Sequence, residues 1–137
     1  MLKDERNGFT LIEIIVVLVV LGILAAIAVP AVMGYLDDAR EAKYLAEVRA
    51  IHLVFQSEET KANAIDDNIT TFGDVAKIVK ETTGLEIITM LKPGENASIK
   101  DYNTGVKMQY EFNYRLDDNK EIHVIIKKDE IVKIEVV

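Results

Sequence analysis

The sequence predicts an α+β chain: a long N-terminal helix, membrane-like in its first half and amphipathic in its second, packed on a small antiparallel β-sheet of three to four strands. Three patterns predict it. Residues 9–33 form a nearly unbroken apolar run. Tyr44, Val48, Ile51 and Phe55 then recur at spacings of four, three and four, a single helix face. From residue 106 onward, apolar and polar side chains alternate in three successive segments, the period of half-buried strands.

Composition bounds the answer. The chain has 137 residues and no cysteine, which excludes a disulfide framework, a thiolate metal site and a cysteine nucleophile. Residues 34–137 are enough for one modest core. The net charge is −7. Lys3 and Arg6 balance Asp4 and Glu5, so the acidity lies downstream of the leader. An acidic body repels phosphate backbones, and no nucleic-acid partner is expected.

The elements follow in order. Residues 1–8 are a short polar leader. As a helix, residues 9–33 would span about 37 Å, enough to cross a hydrocarbon core of about 30 Å with some tilt. The run holds one charge, Glu13. A carboxylate at mid-bilayer costs on the order of 2.5–3.5 kcal/mol, so it asks for a partner. A plain single-pass anchor has no use for it. A secretory signal cut after Ala26-Ile27-Ala28 is a second reading. The neutral leader, the early Glu13 and the helical pattern beyond Ala28 count against it.

A third reading rests on Gly8-Phe9-Thr10-Leu11-Ile12-Glu13 joined directly to an apolar helix. This resembles the class III signal of type IV pilins and of type II secretion pseudopilins. Gly22 and Pro30 fall at that family's helix-weakening positions, and Tyr35 at a commonly aromatic one. The resemblance covers residues 3 to about 36. It implies cleavage between Gly8 and Phe9, N-methylation of Phe9, and retention of the apolar segment. It implies as partners a prepilin peptidase/methyltransferase, other copies of the chain and minor pilins, and an inner-membrane assembly platform. The lipid bilayer would hold the chain before assembly.

Glu13 sits one helical turn from Phe9, whose amine cleavage would free. A carboxylate and an ammonium attract strongly where the dielectric is low, and each alone is costly there. The resemblance favours pairing of Glu13 with the Phe9 amine of a neighbouring subunit. An intramolecular Phe9–Glu13 pair and a partly wet Glu13 near the membrane surface are the alternatives. Glycine has low helix propensity and proline removes a backbone donor, so residues 23–29, between Gly22 and Pro30, are candidates for unwinding outside lipid.

Residues 34–57 continue the helix as its amphipathic part. Residues 58–105 form a connecting region, with the helix ending in a polar, alanine-rich loop over 58–68. Thr71 and Asp74 predict a capping box for a short helix whose apolar face is Phe72, Val75, Ala76 and Val79, ending at Gly84. Residues 85–91 read as a strand closed by the Pro93-Gly94 turn, and residues 95–105 as irregular. Residues 106–137 are an antiparallel meander. Val106, Met108, Tyr110, Phe112, Tyr114 and Leu116 share one face of its first strand. Ile122, Val124 and Ile126 share one face of the second, and Val132, Ile134 and Val136 one face of the third. Turns fall at residues 117–120 and at Lys128-Asp129. The helix face over 44–55 is the available cover.

No other motif carries chemistry. His52 lies on the amphipathic helix and His123 on the polar side of a strand, without metal-pair spacing. Asp117, Asp118 and Asn119 offer oxygens, but the twelve-residue calcium loop with its glycine is missing and turn chemistry explains them. Asn68-Ile69-Thr70 and Asn96-Ala97-Ser98 match the N-glycosylation sequon. No nucleophile–base constellation is evident, so no enzyme activity, metal or cofactor is expected. The resemblance implies a type IV pilus subunit, a single-pass membrane precursor that becomes part of an extracellular filament for adhesion, motility or aggregation. A pseudopilin of a type II secretion or DNA-uptake system is the alternative within the family. A membrane-anchored or secreted binding module is the alternative outside it.

Overall fold

The computed structural model describes residues 8–66, 69–100, 109–116 and 119–137. The leader charges Lys3, Asp4, Glu5 and Arg6, the sequon residue Asn68, the strand start from Val106 to Met108, and Asp117 and Asp118 lie outside the described residues. Two helices and four strands follow in the order α1 (Leu11–Ala64), α2 (Phe72–Thr83), β1 (Glu86–Lys92), β2 (Gln109–Arg115), β3 (Glu121–Lys127) and β4 (Glu130–Val136). The chain divides into two compact units, Met1–Glu41 and Ala42–Val137, and the boundary falls within α1.

In the first unit every described side chain is exposed. Over residues 14–33 its part of α1 is apolar on all sides, which leaves no single face to bury internally, and charged residues begin at Asp37. The helix passes through Pro30 without a break.

The second unit is the head. Here α1 buries Val48, Ile51, His52, Phe55, Glu59 and Ala62. The helix runs on to Ala64, past the end expected after Ser57. Glu59 and Ala62 continue the Phe55 face at spacings of four and three, and alanine is the best helix former. Thr60 Oγ1 donates back to the Gln56 carbonyl at 2.7 Å, and Lys61 pairs with Glu58 at 2.6 Å. Polarity alone suggested a loop, and the buried stripe outweighs it.

The capping box of α2 is present. Thr71 Oγ1 accepts from the Asp74 N–H, and the Asp74 side chain accepts from the Thr71 N–H at 3.2 Å. The next orphan donors of the helix are met by a strap from the segment after β1. Phe72 N–H donates to the Ala97 carbonyl at 3.0 Å and Gly73 N–H to the Glu95 carbonyl at 2.8 Å. A Cβ on Gly73 would sit 3.2 Å from that Glu95 oxygen, so a glycine permits the close approach. Gly84 ends the helix at φ 76, the left-handed cap.

The sheet is an antiparallel meander in the order β1-β2-β3-β4. The central pair is regular, from Gln109↔Lys127 to Arg115↔Glu121. Tyr110, Phe112 and Tyr114 on β2, with Ile122, Val124 and Ile126 on β3, point to the core as their alternation predicts. Lys128 and Asp129, at φ 49 and 63, form the two-residue turn into β4, both in the left-handed region that a tight hairpin requires.

On β4 the structure corrects the expected face. A register shift between Ile125 and Ile126 leaves Val132 unpaired between Ile131 and Lys133. Ile131 and Ile134 pack against the core, whereas Val132 and Val136 are exposed. The extra residue of a bulge puts Ile131 in the place expected for Val132, while Ile134 keeps its expected place and Val136, paired with Ile122 beyond the bulge, is exposed near the strand end. The β1–β2 register is shifted too, between Ile87 and Thr89 and between Met90 and Lys92.

Phe55 joins the layers. Its ring lies 5.4 Å from that of Tyr110, 5.6 Å from Phe112 and 5.7 Å from Phe72, so one α1 side chain touches both the sheet and α2. Ile99, in the stretch read as irregular, is also fully buried in this core.

Candidate processing and assembly site

The residues singled out at the N-terminus lie in the first unit. Gly8, Phe9 and Thr10 are non-helical and exposed, and α1 begins at Leu11. The first intrahelical bond runs from the Ile14 N–H to the Thr10 carbonyl at 3.3 Å, which makes Thr10 the N-cap.

Thr10 and Glu13 are bound reciprocally. The Glu13 carboxylate accepts from the Thr10 N–H at 2.8 Å and from the Thr10 hydroxyl at 2.7 Å. Thr10 Oγ1 in turn accepts from the Glu13 N–H at 3.3 Å. This is a capping box, and its carboxylate lies in the first turn, where the helix dipole favours negative charge. The structure therefore gives Glu13 a partner inside its own chain, Thr10, while Phe9 is still joined to Gly8 and has no free amine. The Thr-x-x-Glu spacing was the available signal for Thr10, and the same spacing at Thr71 and Asp74 had predicted the α2 cap. Phe9 and Glu13 border one shallow apolar groove with Ile12, Val16 and Val17.

Gly22 and Pro30 lie further along the same exposed helix. A Cβ on Gly22 would meet nothing within 4 Å, so no close packing within the chain requires glycine there. The helix that contains them is the only one, among the described residues, long and apolar enough to cross a membrane.

Residues 4–29 match the prokaryotic N-terminal methylation motif. The chain carries the class III signal of type IV pilins and pseudopilins. Gly8, Phe9, Thr10, Glu13 and Gly22 lie within the matched residues, and Pro30 and Tyr35 lie just beyond them. No curated protein and no solved structure is similar enough to this chain to count as a match. The architecture is α+β, with a long N-terminal helix and an antiparallel four-stranded sheet. The chain's signal and apolar N-terminal helix fit a membrane-anchored precursor, and the signal implies processing by a prepilin peptidase and assembly with other pilins.

The head offers polar contacts that fasten α1 to the sheet. Tyr114 Oη donates to the Glu47 carboxylate at 2.9 Å. Burial, with Glu47 beside it, pushes the Tyr114 phenol well above its ordinary pKa. Tyr110 Oη reaches the buried Glu59 at 3.4 Å. Asp129, in the β3–β4 turn, accepts from Gln56 Nε2 at 3.1 Å. His52 Nε2 lies 3.3 Å from the same carboxylate, at an angle that makes no hydrogen bond. Burial holds the His52 imidazole below its usual pKa, and Asp129 offsets only part of that shift.

His123 is on the outer face of the sheet, 3.2 Å from Glu111, which also pairs with Lys92 at 3.1 Å. The two histidines thus serve separate contacts. No group of metal-ligating side chains is found among the described residues. These contacts build a scaffold, and no nucleophile–base pair stands out among them.

Proposed function

We propose that this chain is the structural subunit of a type IV pilus, cut after Gly8, N-methylated at Phe9 and polymerised through its N-terminal helix. The observation that carries the reading is a methylation motif over residues 4–29 that runs into the apolar first part of α1, where every described side chain up to residue 41 is exposed. Such a surface needs lipid first and other copies of the same helix afterwards. Water adds across the Gly8–Phe9 amide. The leader leaves with the Gly8 carboxylate, and Phe9 keeps the amine, which the processing enzyme methylates from a methyl donor.

In the assembled state Glu13 exchanges its Thr10 contacts for the Phe9 amine of a neighbouring subunit. Two buried charges of opposite sign then neutralise each other and set the axial register. Gly22 and Pro30 allow the helix between them to extend. A pseudopilin of a type II secretion or DNA-uptake machine has the same N-terminal features, and the acidic head disfavours direct contact with DNA.

Intact mass of the protein from its native host tests processing: methyl-Phe9 at the amino terminus is expected, and a chain beginning at Met1 or Val29 overturns the reading. Electron microscopy of a deletion strain, beside a secretion assay, separates a surface filament from a secretion pseudopilus. Glu13→Gln keeps a side-chain oxygen for Thr10 and removes the charge. It should be membrane-inserted yet give few filaments, and normal filaments from it refute the pairing.

A further inference from the structure

We propose that Thr10 is a positioning residue for processing: its capping box with Glu13 starts the helix at Leu11 and so keeps the Gly8–Phe9 amide outside it. This rests on the reading that the chain is cut between Gly8 and Phe9.

The argument is one of backbone access. A peptidase must reach the carbonyl carbon of the scissile amide and hold the chain extended in its cleft. Were the helix to begin one turn earlier, the Gly8 carbonyl would accept from the Ile12 N–H and lie against the following turn. Gly8 disfavours that earlier start only through its low helix propensity, while Phe9, Leu11 and Ile12 suit a helix lying in lipid. Thr10 opposes it. Its hydroxyl takes the Glu13 N–H at 3.3 Å, and the Glu13 carboxylate takes the Thr10 N–H at 2.8 Å and hydroxyl at 2.7 Å. An N-cap residue adopts a non-helical backbone, so these bonds hold Thr10, and the two residues before it, out of the helix. Gly8 and Phe9 are accordingly non-helical, and Phe9 is 85% exposed. The same carboxylate thus acts before cleavage as a brace for the cut site and after cleavage as an assembly contact.

The test uses full-length precursors purified in detergent and incubated with the host's prepilin peptidase, with cleavage followed by mass spectrometry. Thr10→Val keeps the size of the side chain and loses the hydroxyl, and Thr10→Ser keeps the hydroxyl. A threonine cap shifts a helix-end equilibrium by about fivefold. Thr10→Val should therefore be cut about fivefold more slowly than wild type, and Thr10→Ser at the wild-type rate. Head unfolding followed by circular dichroism should be the same in all three. Equal cleavage of wild type and Thr10→Val overturns the proposal, as does a Thr10→Ser precursor as slow as Thr10→Val. A wild-type precursor left uncut at Gly8 overturns the underlying reading instead.

Discussion

Residues 11–41 and residues 42–64 belong to the same helix, α1, and differ in what their apolar side chains touch. In the first stretch Leu18 is 62% exposed and Leu24 57%, like their neighbours on every side. In the second, Val48, Ile51 and Phe55 are fully buried while Leu53, on the opposite side, is 64% exposed. Hydrophobic content falls from the first to the second, but content alone does not say where the apolar side chains go. Periodicity does: a stripe finds its cover within the chain, and an all-round apolar surface must find it elsewhere. One helix thus serves two hydrophobic demands, one met by folding and one left for an external apolar phase.

The sharpest way to break that contrast is a pair of truncations. Phe55→Ala should lower the head's stability by about 3–5 kcal/mol, since it empties the junction of α1, α2 and the sheet. Leu18→Ala should leave it unchanged. Chemical unfolding of the head, read by tyrosine fluorescence, compares them, and equal effects would erase the distinction.

Next in size is Pro30→Ala. It restores a backbone donor to the Ala26 carbonyl and should stabilise the local helix by about 3 kcal/mol. Amide exchange near residue 30 in micelles should slow by about a hundredfold, with the head unaffected.

A smaller effect sharpens the contrast from within the head. The folded pKa of His52 lies below its ordinary value of 6.5. The unfolded chain therefore binds the proton more readily. The head should hold its full stability above about pH 6.5 and lose part of it as pH falls toward the folded pKa. His52→Gln should flatten that dependence in urea titrations at stepped pH.

The smallest effect lies just before the boundary. Asp37 and Arg40 pair at 3.0 Å with side chains 74% and 63% exposed. Arg40→Ala should change helix stability by less than about 0.5 kcal/mol, a shift visible only at low salt by circular dichroism.

Much of this was legible in the residues. The core faces of β2 and β3 followed from strict alternation, the α2 cap from Thr71 and Asp74, and the cover for the sheet from Tyr44, Val48, Ile51 and Phe55. What escaped has physical reasons. The end of α1 was misplaced because Glu59 is charged yet buried, and polarity argued for a loop. On β4 Ile134 faces the core as its alternation predicts, and Val132 does not, because a bulge depends on its partner strand and has no period of its own. Ile99 lies in an irregular stretch, where burial is set by tertiary contacts. At the candidate site Gly8, Phe9 and Glu13 were conspicuous through their motif. Thr10 carries no charge, and its role shows only in the geometry that ties its hydroxyl and N–H to Glu13.

The irregular registers of β1 and β4 have one more consequence. Both are flanks of the sheet, and each offers backbone donors and acceptors that a foreign strand could engage. Evenly spaced flanks invite neighbours to zip together into a continuous ribbon. Here the spacing is interrupted at Ile88 and Leu91 on one side and at Val132 on the other. Heads crowded side by side would stay separate objects, free to be stacked, shed or exchanged one at a time.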